Sequence, residues 1–529
     1  LSLSPIANPA ETRAERFARE MSTAHLSKNL HQRTVRGGMV TIAAQAARFV
    51  LQIGSTMILA RLLTPGDFGL VAMVGTVTGF ALIFKDAGLS MATVQRADVT
   101  HEQVSNLFWV NVALSAGLML LLMACSPLVA WFYGPGELVW ITVALSTAFL
   151  FGGLTVQHEA LLTRQMKFKL LGIIGIGSMA FGVTLAVAMA MLGLNYWALV
   201  GLTVGQAAAN CVLAWVFCKW RPGLLSRGAG TLSMLRFGGY LTAFNVLNYF
   251  TRNADNVMLG FAWGAGPLGI YSKAYGLLLL PLRQINAPIA AVAIPALSRL
   301  QDKPDEFRTF YRSMLRLIAY VTMPLVVVLG VLAEEVTLLV LGPNWGEAAP
   351  VFRVLAFFGV VQSVSSTTGW VLTALGRTRR MLEWNFIGTP VIVAAFAIGL
   401  SGGAYGVAMG ATIGALVLVP PQVWYAFRGL AVRPRDVVVA ASPPLLLAAG
   451  MFLAGEGTRR AIQAPIMSWI TQQLSGSEQW ARFSGAASAM TICLLVGALS
   501  GLMLVLWFAL LPSARRELVQ GYRMFRKRG

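Results

Sequence analysis

The chain predicts an all-α integral membrane protein of about fourteen transmembrane helices. Three observations lead there: a composition too apolar for water, apolar runs long enough to cross a bilayer, and basic residues that alternate between those runs. Of the 529 residues, 57% are hydrophobic and 12% are Asp, Glu, Lys or Arg, about half the charged share of a soluble domain. Mean hydropathy is +0.68. Apolar runs of about 18 or more residues span a hydrocarbon core of about 30 Å as helix. Their continuity excludes the alternating strands of a transmembrane barrel.

Taken in order, the predicted spans are 39–60, 68–90, 105–131, 138–162, 170–192, 196–218, 237–262, 268–297, 310–332, 348–375, 384–400, 404–426, 437–454 and 483–511. Glycine-rich turns such as Gly134-Pro135-Gly136, Gly193-Leu194-Asn195 and Gly264-Ala265-Gly266-Pro267 separate them. With the N-terminus inside, the tails and even-numbered connections carry 32 Lys and Arg residues. The opposite side carries four, Arg61, Arg459, Arg460 and Arg482. Every connection then obeys the positive-inside rule, which supports the helix count and puts both termini in the cytoplasm. The net charge of +20 is accordingly a topological signal, not a nucleic-acid one.

The expected organisation is a cytoplasmic tail (1–36), an N-lobe of helices 1–6 (37–218), a cytoplasmic linker (219–236) and a C-lobe of helices 7–12 (237–427). Helices 13 and 14 (428–512) follow with an outward loop at 455–482, then a basic tail (513–529). The polar start has no apolar h-region, so no cleavable signal is expected, and Met21 competes with Leu1 as the natural start. Cys125, Cys211, Cys218 and Cys493 fall in apolar runs and read as buried small hydrophobes; no metal or cofactor is expected. Trp131, Tyr133, Trp197 and Trp345, near helix ends, read as interface anchors.

An internal repeat appears at an offset of 200. Gly38 matches Gly238, and Gly66-Asp67-Phe68-Gly69-Leu70 matches Gly266-Pro267-Leu268-Gly269-Ile270. Six helices separate the copies, so both point the same way, which implies two parallel six-helix lobes with a central site near mid-membrane. A polar stripe accompanies each copy. Gln45, Arg48, Gln52 and Ser55 recur every three or four residues in span 1; Asn245, Asn248, Arg252 and Asp255 occupy the same offsets in span 7.

Five basic residues sit inside spans. Arg48 is the tenth residue of its span, about 15 Å along the helix, where a guanidinium costs at least about 2.5–3.5 kcal/mol. Arg252, Arg283 and Lys273 are also deep, and Arg353 lies close enough to an outer end to snorkel. Two readings are open: an internal Arg252–Asp255 pair, or a cationic cavity for an anionic ligand. Four deep cations against one deep acid favour the ligand, and phosphate matches the guanidinium fork. Helix 8 also carries Pro281, Pro288 and Pro295, which suit either a hinge or packing curvature. The hydroxyls and amide of Gln362, Ser363, Ser365, Ser366, Thr367 and Thr368 suit either sugar binding or helix–helix glue.

No Walker A sequence supports ATP drive, and only 455–482 is long enough to serve as an outward catalytic loop, so an enzyme is not expected. Three segments then carry a family likeness. They are Ala60-Arg61-Leu62-Leu63-Thr64-Pro65-Gly66-Asp67-Phe68-Gly69, Asn248-Tyr249-Phe250-Thr251-Arg252-Asn253-Ala254-Asp255-Asn256, and Pro281-Leu282-Arg283-Gln284-Ile285-Asn286-Ala287-Pro288 with the later Ile294-Pro295-Ala296-Leu297-Ser298-Arg299-Leu300. Over about 33–435 the chain resembles the lipopolysaccharide and exopolysaccharide flippases of the multidrug/oligosaccharidyl-lipid/polysaccharide exporter superfamily. The resemblance implies two six-helix lobes in a V around a central cavity. It implies alternating access that carries a polyprenyl-diphosphate-linked oligosaccharide from the cytoplasmic to the periplasmic leaflet of the bacterial inner membrane. Similar flippases carry cavity arginines in helices 1, 2 and 8; this chain departs in offering only Lys85 in helix 2 and in adding Arg252 in helix 7.

The expected partners are the lipid-linked oligosaccharide, membrane lipids, a coupling ion (H+ or Na+) and the polysaccharide polymerase machinery, with no nucleic acid. Two alternatives stand beside this: a multidrug or toxin antiporter of the same superfamily, and a membrane polymerase or ligase. The topology has a direct check. Alkaline phosphatase fused after Asn195 or within 264–267 should be active, and fused after Gln165 or Gly376 inactive.

Overall fold

The computed structural model describes residues 30–86, 90, 93–94, 99–226, 249, 252–474 and 484–510. Among these, the long elements are fourteen helices: α1 Leu30–Leu62, α2 Pro65–Asp86, α3 His101–Tyr133, α4 Glu137–Arg164, α5 Phe168–Met191, α6 Trp197–Phe217, α7 at 252–263, α8 Ala265–Ser298, α9 Pro304–Val331, α10 Ala348–Ala374, α11 Thr378–Gly399, α12 Gly403–Phe427, α13 Pro434–Leu474 and α14 Ser484–Leu510. Among the described residues, twelve stretches are long and apolar enough to cross a membrane, one of them covering both α11 and α12. The expected span Asn245–Asn248 region of helix 7 lies outside the described residues. The chain divides into two compact units, 1–253 and 254–529.

In the first unit the repeated turn is a helix-start device. The backbone N–H and hydroxyl of Thr64 donate to the Asp67 carboxylate at 2.8 and 2.7 Å, and the Asp67 N–H donates to Thr64 Oγ1 at 3.3 Å. Pro65 occupies the first helical position, where no donor is lost. In the second unit α8 starts at Ala265, the same offset of 200, after Gly264 with a φ of 77° that suits glycine. Phe68 and Leu268, equivalent in the repeat, are both buried.

Small residues let the helices of the first unit approach. A Cβ on Gly153 of α4 would sit 2.5 Å from Ser115 Oγ and 3.0 Å from the Asn111 carbonyl of α3. One on Gly182 of α5 would sit 2.8 Å from the Leu202 carbonyl of α6. Arg221 Nη1 donates at 3.0 Å to the carbonyls of Trp215, Cys218 and Trp220 and so closes the end of α6. The following chain docks on α3: Asn106 exchanges two hydrogen bonds with the Ser226 backbone at 2.7 and 3.0 Å. The Gly223 N–H donates to Ser105 Oγ at 2.9 Å.

In the second unit α9 is the most deeply buried of the candidate spans. Its Phe310, Tyr311, Met314 and Ile318 form a core with Val371 of α10, Phe427 of α12 and Val437 of α13. Arg308 binds Asp436 at the start of α13 through two 2.7 Å contacts. Trp507 of α14 donates to the Tyr320 hydroxyl at 3.2 Å, so α13 and α14 are both fastened to α9.

Several expectations need correction. Segment 455–482, expected as an outward loop, continues α13 as helix to Leu474; 475–483 lie outside the described residues. Hydropathy falls there, but charge pairing holds the helix. The Arg459 guanidinium, 5% exposed, binds Glu335 at 2.8 Å, also Glu334, and approaches Glu456 at 3.9 Å. Arg353 binds Glu334 at 3.1 Å and Arg460 binds Glu456 at 2.8 Å. The two glutamates come from an additional short helix, Ala333–Val340. Trp345 and Tyr133 are not interface anchors: Trp345 is fully buried, and Tyr133 is buried with its hydroxyl 3.1 Å from Thr76 Oγ1. Trp131, 79% exposed, fits an anchor. Arg316, counted with an inner connection by charge sorting, is the thirteenth residue of α9, buried, and donates to the Val439 carbonyl at 3.3 Å.

Removing Arg459 would strand the buried Glu335 carboxylate. Arg459→Ala should therefore cost about 3 kcal/mol of stability, read as a lowered Tm of the purified protein, while Arg460→Ala at the exposed edge of the same network should leave Tm unchanged.

Candidate functional site

The first candidate face belongs to α1. Gln45, Arg48 and Gln52 are all exposed, one above another, while Ser55 at the end of the stripe is buried. The stripe survives because α1 does not spend these side chains on its own backbone: Thr41 and Thr56 satisfy themselves on the Gly37 and Gln52 carbonyls at 2.9 Å, whereas the Arg48 donors point away. Among the described residues Arg48 makes one hydrogen bond, from Nη2 to the Leu171 carbonyl of α5 at 3.4 Å. A Cβ on Gly175 of α5 would overlap the guanidinium. Arg48 thus lies along a bare stretch of α5 backbone, with most of its five donors open to a ligand. The Gly172-Ile173-Ile174-Gly175-Ile176-Gly177 run was the only sequence signal for this seat, and helix packing alone would have explained it.

A second face belongs to α8. Gly276, Arg283, Gln284, Ala287, Pro288 and Ala291 are exposed. An exposed helix face in lipid carries large apolar side chains, as α14 does with Met490, Leu494, Leu495, Leu502 and Val505. The α8 strip instead pairs small residues with a guanidinium and an amide, with Val292 the one large apolar side chain exposed on this helix. Among the described residues Arg283 has no hydrogen-bond or ion-pair partner. Asn286 Oδ1 of α8 and Gln362 Oε1 of α10 are buried acceptors with no hydrogen-bond partner among the described residues.

The remaining expected site residues divide. Arg252 is exposed at the start of α7, and Lys273 is half-buried on α8. The Arg252–Asp255 pair does not form. Asp255, 4% exposed, accepts from the Tyr271 hydroxyl of α8 at 2.8 Å and from the Asn256 N–H at 2.7 Å. Tyr271 in turn stacks on Tyr275, with ring centroids 5.9 Å apart. No sequence signal links residues sixteen apart across a helix break, so Tyr271 was missed. Asn245 and Asn248 lie outside the described residues. The hydroxyl run of α10 is largely glue: Ser365 donates to Gln422 of α12 at 2.8 Å, Gln422 to Thr368 at 3.3 Å, and Thr367 lies 3.0 Å from the Tyr311 hydroxyl of α9.

Residues 58–350 match the family described as polysaccharide biosynthesis protein. The chain is 27% identical over 396 residues to the lipopolysaccharide biosynthesis protein WzxC of Escherichia coli (strain K12), covering 74% of this chain and 79% of that protein. It is 31% identical over 343 residues to the teichuronic acid biosynthesis protein TuaB of Bacillus subtilis (strain 168), covering 64% and 70%. Its fold is like that of the lipid II flippase MurJ in an inward closed conformation, with a TM-score of 0.60 at 12% identity over 88% of this chain and 98% of that one. The chain belongs to the polysaccharide biosynthesis protein family.

The Arg48 seat makes a coupled prediction. Gly175→Ala should lower Tm only slightly when Arg48 is present, because the overlapping atoms are the exposed end of a flexible side chain that can swing aside, and not at all in an Arg48→Ala background, measured as a double-mutant cycle on Tm.

Proposed function

We propose that this member of the polysaccharide biosynthesis protein family is a flippase. It moves a polyprenyl-diphosphate-linked oligosaccharide from the cytoplasmic to the periplasmic leaflet by alternating access, for surface polysaccharide synthesis. Two observations carry the reading, one in each unit: an under-satisfied guanidinium, Arg48 in the first and Arg283 in the second, on an exposed helix face that lacks a lipid-facing character. A diphosphate supplies the charge and the acceptors such groups need. Arg252 and Lys273 are assigned to the same task, and Gln45, Gln52, Gln284 and the stripe residues Asn245 and Asn248 to the sugars. The polyprenyl tail would stay in lipid throughout.

In this reading the protein sits in the bacterial inner membrane with both termini in the cytoplasm, as the distribution of Lys and Arg supports. Asp255 is the deep carboxylate available to a coupling ion, H+ or Na+, now that Tyr271 rather than Arg252 is its partner. An antiporter of cationic drugs would need acids where this chain places arginines, and a polymerase would need an outward catalytic loop where this chain has the ion-paired end of α13.

Depletion of the protein, followed by lipid extraction and leaflet-specific probing, should show lipid-linked repeat units accumulating on the cytoplasmic side. Arg48→Ala, Arg252→Ala and Arg283→Ala should each reduce exported polymer by about tenfold to a hundredfold, the scale of losing a charge-assisted hydrogen bond, at unchanged protein level. Full polymer from all three, or normal outward translocation with polymer missing, would contradict the reading.

A further inference from the structure

One end of the second unit carries a cationic and aromatic cluster that the transport reading does not use. It lies where α11 begins and α12 ends. Trp424 is 56% exposed, and the Arg428 guanidinium carbon sits 5.4 Å from the centre of its ring. Arg380 Nη1 donates to the Arg428 carbonyl at 2.7 Å, which fastens the two helix ends together. The Arg379 side chain, 90% exposed, reaches Glu383 at 2.9 Å. Tyr425 donates to the other Glu383 oxygen at 2.5 Å, and Trp384 and Tyr425 lie 6.0 Å apart. Arg377 is exposed, and no side chain caps the first turn of α11.

Two features select the occupant. Four arginines, Arg377, Arg379, Arg380 and Arg428, lie at these helix ends with one carboxylate, Glu383, that Arg379 and Tyr425 already engage, so the cluster keeps an excess of positive donors. Deeper along the same two helices, Phe386 and Ile387 of α11 and Leu416 and Val417 of α12 are exposed, a ladder suited to an acyl chain. Tryptophan and tyrosine between the two mark the headgroup level of a bilayer. Basic clusters at this level attract anionic lipid headgroups, and arginine forks match phosphate oxygens.

We propose that the α11–α12 end, through Arg377, Arg379, Arg428 and Trp424, binds the phosphate headgroup of an anionic phospholipid. The site uses none of the residues assigned to the transported lipid. The inference rests on the membrane-spanning reading and its orientation, which makes the lipid one of the inner leaflet, and does not rest on flipping itself.

The test uses the full-length protein in nanodiscs of phosphatidylethanolamine and phosphatidylglycerol, with retained lipid counted by native mass spectrometry after release. Wild type should retain phosphatidylglycerol over phosphatidylethanolamine. Arg379→Gln with Arg428→Gln should lower that preference by about tenfold, the scale for two basic residues at a membrane surface, with Tm unchanged because Arg380 still joins the helix ends. Arg48→Ala should keep the preference while losing transport, which separates this site from the flippase reading. Polyprenyl diphosphate at equal concentration should leave the phosphatidylglycerol in place. No preference in wild type, an undiminished preference in the double variant, or displacement by polyprenyl diphosphate that depends on Arg379 and Arg428 would overturn the proposal.

Discussion

A guanidinium inside a bilayer must find acceptors, because the hydrocarbon supplies none and the charge cannot be shed. The structure meets this constraint in three ways. Arg459 is enclosed by carboxylates from a short helix and from its own helix. Arg316 reaches a backbone carbonyl of a neighbouring helix. Arg48 leans on the glycine-bare backbone of α5 with one long hydrogen bond. Arg283 does none of these among the described residues. The gradient from enclosed to open guanidinium separates charges that hold the helices together from those we propose serve the ligand.

The same constraint explains the helix architecture. With water absent, each spanning segment must satisfy its backbone internally, and the turns between segments become the places where sequence has the most to say. Thr64, Pro65 and Asp67 start α2 by a reciprocal cap, while glycine with positive φ precedes α8 at the equivalent place. A motif shared by a family of transporters thus has a helix-start role that needs no substrate. The repeat is visible in the equal offset of the two helix starts and in the paired burial of Phe68 and Leu268.

Most of the fold was legible because apolar length is a direct physical requirement of crossing lipid. The predicted span 348–375 corresponds to Ala348–Ala374, and 170–192 to Phe168–Met191. Features held by side-chain pairing rather than hydropathy were not legible. The helical continuation of α13 past 454 and the helix Ala333–Val340 depend on each other through Arg459, Glu334 and Glu335, residues more than a hundred positions apart. The burial of Trp345 has the same origin, since amphipathic position in sequence does not reveal what packs over it. At the candidate site, periodicity revealed the α1 stripe and depth revealed Arg283. Proximity along a helix offered Arg252 as one candidate partner of Asp255, whereas the tyrosine on the next helix that binds it carries no sequence signal.

We propose that Arg48 and Arg283 bind the diphosphate of a lipid-linked sugar as it changes leaflet. The most direct measurement is leaflet exchange of a fluorescent polyprenyl-diphosphate oligosaccharide in proteoliposomes, followed by quenching from outside. The wild-type protein should exchange the lipid, and Arg48→Ala/Arg283→Ala should lose the exchange at equal reconstitution. Equal exchange by the double variant, or none by the wild type with its coupling ion supplied, would contradict the proposal.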